Sequence, residues 1–297
     1  MPTIIENIAL DEWHILCADC DLVQGDARQF ILFEESLSVM RMADDSVKAW
    51  RRTDREAHVP LPVRRHCGHV WTSFGTPVHE PFEIPEFFES DRRMVYCGSF
   101  GVHVSAPRAV ENFLDLAHFP FVHRGVLGEE PHTEVKDYEV SVSSDSKEVI
   151  ARRWRFYQPL SSLSAKKGFE VEYIYRVPHP YCAVLYKSAA SDPSRNDVIA
   201  ILGRPISEER VSATLFMALI DEESSDVGLM HFQQMIFSQD KPILENQRPR
   251  RLPLDPTSKT SLRADRSSVA YRRWLHARGY RYGTVPWETP NLRALGA

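Results

Sequence analysis

The sequence predicts an α+β fold, and three observations carry that prediction. The first hundred residues are mostly β-prone, with short apolar runs between turn-like clusters. One helical pattern follows, starting at Pro107. After it comes a ladder of five strand-like runs and then two helical segments.

The elements can be justified in order. FILFEESLSVMRM (30–42) holds two short apolar runs around a polar break, and VKAWRR (47–52) follows. LPVRRHCGHVWTSFG (61–75) reads as strand, the proline-studded 76-TPVHEPFEIPEF-87 as irregular loop, and MVYCGSFGVHV (94–104) as another strand. In RAVENFLDLAH, Val110, Phe113, Leu114 and Ala117 recur at helix spacing. Pro120 disfavours helical backbone at Phe119, so this helix is expected to end near His118.

The ladder comprises 147–158, 169–180, 181–188, 197–206 and 211–220, rich in Val, Ile, Tyr and Phe and divided by turns such as SDPSRND. It predicts a large antiparallel sheet. Residues 227–247 read as helix with a break at Pro242, 248–260 as a proline-rich loop, and 261–280 as a terminal helix. A boundary near residue 105 divides a small β domain (1–105) from an α+β domain (106–297).

The 297 residues suffice for one large or two ordinary domains. With 43% hydrophobic and 26% charged residues, the balance is that of a soluble globular chain. A net charge of −5 gives no basic footprint for nucleic acid. No apolar run approaches membrane-spanning length, and MPTIIENIALDEWHIL lacks the pattern of a signal peptide, so a cytoplasmic location is expected. The five scattered cysteines suit reduced thiols. Only 17-CADC-20 has metal or redox spacing. Its nearest complement, Cys67 and His69, sits in a strand-like segment, so an ordinary structural role is the better reading.

The chemistry concentrates in 111-ENFLDLAHFPFVHRG-125. Histidines five apart on an ideal helix point about 140° away from each other. The proline at 120 lets His118 leave the helix end while His123 returns from the next segment, so the imidazoles could converge. Two imidazoles and one carboxylate with open positions suit an Fe(II) that activates O2. Asp115 could ligate, or could orient a ligand histidine by a hydrogen bond. A partly buried polar helix end would account for the same residues without a metal.

NFLDLAHFPFVH resembles the iron motif of the Rieske non-heme iron oxygenases, N-x-x-D-x-x-H-x(4)-H in the demethylase-like branch. HVWTSFGTPVHEPFEIPEF is similar to the segment closing that family's Rieske domain. SQDKPILENQRP resembles the helix carrying the iron carboxylate, and RADRSSVAYRRWL the C-terminal helix. The resemblance implies a Rieske-like β domain followed by a helix-grip (START-like) catalytic domain. It implies His118, His123 and Asp240 as iron ligands, with Asp226 and Glu245 the nearby alternatives to Asp240. Asn112 is expected close to the iron. Asp115 is expected to bridge from a ligand histidine to the cluster of a neighbouring subunit.

A Rieske cluster needs C-x-H followed by C-x-x-H. The family's cluster loops would fall where 53-TDREAHVP-60 stands, a stretch with no cysteine and only His58. Cys67-Gly68-His69 spells C-x-H at a strand position, and no C-x-x-H occurs in the chain. The β domain is therefore expected to be degenerate, with no 2Fe-2S cluster of its own. Electrons would come from NAD(P)H through a separate Rieske-containing reductase, with a glutathione-transferase-like subunit as a possible companion. Within the family the chain is similar to cluster-less subunits of bacterial methylxanthine degradation. That similarity implies O2-dependent N-demethylation, of 7-methylxanthine by preference, with release of formaldehyde.

Tyr173, Tyr175 and Phe216 are candidates to line a pocket for a flat aromatic substrate, or to be ordinary core. The rival readings are O-demethylation or hydroxylation of another aromatic, a non-catalytic partner-binding subunit with a pseudo-site, and a ligand-binding module. A homo- or hetero-oligomer fits any of them.

Overall fold

A computed structural model of the chain describes residues 5–52, 58–143, 148–258 and 260–287. After a single-turn helix α1 (Asn7–Leu10), the N-terminal part builds two small antiparallel sheets. One has the order β1-β7-β6, from His14–Ala18, His69–Thr72 and Val63–His66. The other runs β2-β3-β4-β5: Ala27–Leu32, Glu35–Arg41, Val47–Arg52 and His58–Leu61. The expected site of the missing cluster loops falls largely on 53–57, outside the described residues. From His58 onward the chain pairs straight back onto Arg52. The segment expected as one strand at 61–75 is a hairpin. Its turn is Cys67-Gly68, both with positive φ, and Gly68 is obligatory because a Cβ there would lie 2.1 Å from the Tyr96 hydroxyl.

The large sheet has seven antiparallel strands in the order β8-β14-β13-β12-β11-β10-β9. These are β8 Arg93–Val102, β9 Glu139–Val142, β10 Val149–Gln158, β11 Phe169–His179, β12 Cys182–Ser188, β13 Asn196–Ser207 and β14 Arg210–Leu219. Five of them match the expected ladder. The strand expected at 94–104, however, lies on the N-terminal side of the boundary expected near 105. It is β8, and it pairs with β14 from Arg93 to Val102, so the sheet begins before residue 105. Its partner lies over a hundred residues away, a distance at which local sequence carries no pairing signal.

β12, β13 and β14 are buried on both faces, which is why they read as nearly continuous apolar runs. One face, with Val184, Val198, Ala200 and Phe216, packs on Trp13, Ile15, Trp71 and Ile84 of the N-terminal part. The other carries Leu185, Ile199, Leu215 and Met217 towards the helices. Helix α2 (Ala106–Phe113) lies across the middle strands, α4 (Asp226–Asn246) against β8, and α5 (Arg266–Arg278) across β9 and β10.

Three helix boundaries matter for the site. α2 starts at Ser105, whose hydroxyl accepts from Arg108 N, and ends at Phe113 rather than near His118. The Asp115 carboxylate accepts from Ala117 N at 2.8 Å, offering the backbone an alternative to another helical turn. Pro120 then opens a separate turn, α3 (Phe119–Val122), because proline is well tolerated in the first turn of a helix. α4 runs through Pro242 without the expected break. The carbonyl deprived of its partner is that of Ser238, an exposed residue four positions earlier.

α2 is tied to α5 by a buried ion cluster. Glu111 accepts from Arg272 Nε at 2.6 Å and from Arg108 at 3.0 Å, and all three side chains are buried.

Candidate metal centre

His118 sits just before α3 and His123 just after it, one turn apart, with α3 holding both rings to the same side. Their Nε2 atoms are 3.2 Å apart, and Asp240 Oδ1 from α4 lies 3.2 Å from each. Sequence distance thus disappears in space, and among the described residues these three form the one cluster with metal-ligand geometry. Asp240 lies on the buried stripe of α4, with Leu229, Gln233, Ile236 and Leu244. The two alternative carboxylates are engaged elsewhere. Asp226 pairs with Arg93 at the surface, and Glu245 accepts from His103 N and faces Lys241.

The outer ring nitrogens are also committed. His118 Nδ1 is 3.3 Å from Asp115 Oδ2, and His123 Nδ1 is 2.8 Å from Gln239 Oε1. A carboxylate or amide oxygen can only accept here, so each Nδ1 carries the proton and each Nε2 presents a lone pair inward. Gln239 escaped the sequence reading, since a glutamine beside Asp240 on a helix looks like any polar helical residue. The only signal was its adjacency to the expected carboxylate.

Two lone pairs and a carboxylate oxygen facing one another repel unless a cation or protons lie between them. In the metal-free protein, burial opposes a charged His118. Hydrogen bonds to Asp115 and Asp240 outweigh that, raising its pKa to about 9. Burial likewise works to raise the Asp240 pKa, but the two histidines lower it to about 2. Asp240 Oδ1 is buried and faces the two imidazole Nε2 atoms. This donor set fits an Fe(II) ion, with two neutral imidazoles, one carboxylate and room for further ligands.

The three groups help line a slot between α2, α3, α4 and the sheet, together with Phe113, Phe119, Tyr173, Tyr175, Leu215 and Met217 among others. Asn112 lines it as well. Tyr173 and Tyr175 line it too. Phe216 does not: alternation along β14 turns it to the opposite face, edge-on to His69 at 5.2 Å. Cys67 and His69 of the C-x-H string are buried at that inter-sheet face, where His69 Nδ1 binds the Cys67 carbonyl at 2.7 Å.

A large antiparallel sheet packed with helices over two histidines and one carboxylate is an arrangement suited to the non-heme iron enzymes as a class. Comparison with known proteins narrows it. Residues 102–279 match the vanillate O-demethylase oxygenase C-terminal domain. The chain is 39% identical over 279 residues to a probable methylxanthine N7-demethylase, NdmC, of Pseudomonas sp. (strain TJI-51), covering 94% of this chain and 98% of that one. Its fold is similar to that of NdmA of Pseudomonas putida CBB5 solved with caffeine (TM-score 0.72, 18% identity, 90% of each chain). It is also similar to dicamba monooxygenase bound to 3,6-dichlorosalicylic acid (TM-score 0.73, 14% identity, 93% of this chain and 100% of that one). The chain belongs to the demethylase branch of the Rieske-type non-heme iron oxygenases.

Proposed function

We propose that this chain binds Fe(II) through His118, His123 and Asp240 and catalyses oxidative N-demethylation of a methylxanthine, 7-methylxanthine by preference. The observation that carries the chemistry is the approach of Asp240 Oδ1 and two imidazole Nε2 atoms to 3.2 Å of one another on the wall of an aromatic slot. The choice of substrate rests on the 39% identical relative described as a probable methylxanthine N7-demethylase.

Iron held there supplies the activation of O2. The chain's own residues do the rest. Asp115 and Gln239 fix the imidazole tautomers and aim both lone pairs at one point. The aromatic walls take a flat heterocycle edge-in, displace water, and leave one N-methyl group beside the donor trio. One O2, two electrons and two protons convert that methyl to N–CH2OH and water. Collapse of the hydroxymethyl group then leaves N–H and formaldehyde.

The electrons are proposed to come from NAD(P)H through a separate Rieske-containing reductase, with a glutathione-transferase-like subunit as a further partner. Support for an outside donor lies in the sequence, which has no C-x-x-H, and in the burial of its one C-x-H string at a hairpin turn. Asp115, a third exposed at the protein surface beside His118, is the proposed entry point. A cytoplasmic location suits a chain whose described helices include none long and apolar enough to cross a membrane.

The test is to load the chain with Fe(II), add a Rieske-containing reductase and NADH, and assay formaldehyde from a panel of methylxanthines and methoxybenzoates. Equal amounts of formaldehyde and demethylated xanthine are expected. Formaldehyde from the methoxybenzoates alone would move the reaction to O-demethylation. No product from any of them would favour a non-catalytic subunit with a pseudo-site.

A further inference from the structure

The slot contains a polar feature that the metal centre does not use. Gln158, the last residue of β10, is 1% exposed, and neither its amide nitrogen nor its amide oxygen has a protein hydrogen-bond partner. The Tyr173 hydroxyl is equally buried and also lacks a well-aligned partner. The two groups are neighbours: a loose hydrogen-bonding contact with Gln158 offsets part of the rise that burial imposes on the Tyr173 phenol pKa. Both line the slot. That contact leaves most of the hydrogen-bonding capacity of a buried amide and a buried hydroxyl unmet, so such groups call for a partner that the folded chain does not provide.

Their position indicates where that partner sits. The Phe119 ring is 5.6 Å from His123 and 6.4 Å from Tyr173, so one shared aromatic neighbour links the metal-side histidine to this polar pair. The backbone just past Gln158 is fastened, because the buried Lys187 ammonium donates to the Ser161 carbonyl. Gln158 is thus a fixed fork, with one donor and one acceptor side by side. The complement of such a fork is a ring edge with adjacent N–H and C=O, a lactam.

We infer that Gln158, with Tyr173, determines specificity by binding an unmethylated lactam edge of the substrate at the end of the slot away from the metal. This rests on the methylxanthine reading above and deepens it. A xanthine whose imidazole N-methyl faces the metal turns its pyrimidine ring towards the fork. A ring N–H there satisfies the amide oxygen, and a ring carbonyl satisfies the amide nitrogen or the phenol. An N-methyl at the same edge removes the donor and crowds the fork. Selectivity of this kind is strong because the protein's own buried groups stay unpaired when the wrong ligand binds.

The test is calorimetric titration of the iron-loaded chain, without O2, with 7-methylxanthine and with caffeine, in which every lactam nitrogen is methylated. The wild type is expected to bind 7-methylxanthine at least about tenfold more tightly, on the strength of one satisfied hydrogen-bond set. Gln158→Leu should erase most of that difference by weakening 7-methylxanthine alone. Tyr173→Phe, which removes a single oxygen, should reduce the difference in the same direction and serves if the leucine variant does not fold. Equal weakening of both ligands, or an unchanged preference in both variants, overturns the assignment. Turnover separates the two levels of the argument. Normal formaldehyde release from 7-methylxanthine with an unchanged preference in Gln158→Leu defeats only the fork. A wild type that binds neither xanthine defeats the substrate reading and the fork together.

Discussion

Gln239 Oε1 accepts from His123 Nδ1 at 2.8 Å, while Asp240, the next residue on the same helix, faces the Nε2 end of that ring. One turn of α4 therefore holds the imidazole at both ends. Gln239→Leu frees the tautomer and is expected to lower iron affinity about 10- to 100-fold, the usual cost of losing such a support. Competition with a coloured chelator measures it. Gln239→Glu, which still accepts, should retain most of the affinity.

Asp240 and Asp226 bracket the same helix but do different things. Asp240→Ala should abolish stoichiometric iron binding in metal analysis after gel filtration. Asp226→Asn removes a surface pair whose carboxylate is 75% exposed, so iron content should be unchanged. Iron retained in Asp240→Ala would reassign the carboxylate ligand.

Asp115 touches His118 on the side away from the donor trio. Asp115→Asn is expected to keep its iron but to lose about 10- to 100-fold in reductase-driven turnover. Iron content and formaldehyde release, measured on the same preparation, separate an electron-entry role from a ligand role.

Acid should weaken the fold at a place remote from the metal. His14 and His179 are fully buried between the two parts of the chain, with ring centroids 5.7 Å apart, among Phe33 and Tyr181. Burial first, then for His14 the repulsion that protonating both rings would bring and for His179 the Arg278 guanidinium, lower each pKa to about 3. Burial similarly holds His69 at about 4. The folded state keeps these rings neutral, whereas the unfolded chain takes up protons below about pH 6.5. Stability is therefore complete above that pH and is lost as pH falls towards 3, by up to about 1.4 kcal/mol per pH unit for each ring. Urea midpoints from pH 7 to 4.5 should show the slope, and His14→Gln should remove about a third of it.

Glu111 stands between two buried guanidinium groups. Glu111→Gln leaves both charges uncompensated and should cost about 3–5 kcal/mol in denaturant unfolding. Because this contact joins α2 to α5, the loss should appear as a lower midpoint with an unchanged slope.

The strand ladder was legible because β-branched and aromatic residues recur between clear turns; the proline between His118 and His123 only allowed their convergence, and the family resemblance singled out the candidate ligand set. Asp240 was singled out by that resemblance, and the buried α4 stripe it shares with Leu229, Ile236 and Leu244 becomes visible only in the fold. What stayed hidden depended on contacts made only in three dimensions. The end of α2 at Phe113 follows from a side-chain bond of Asp115, and the continuity of α4 past Pro242 from the exposure of Ser238. The face chosen by Phe216 follows from strand register. Gln158 and Gln239 look like ordinary polar residues until their surroundings are known.

β8 has a consequence for exchanging parts between relatives. It precedes the iron motif in the chain but completes the sheet beneath it, so the N-terminal part cannot be swapped as a cassette ending at residue 105. A chimera joined there would bring in a foreign edge strand, and a fragment starting there would leave β14 with a bare row of backbone donors and acceptors, prone to self-association. The workable crossover lies upstream of Arg93, near Glu89 and Asp91, where Arg195 already staples the loop to the sheet. Natural recombination among such enzymes would meet the same seam.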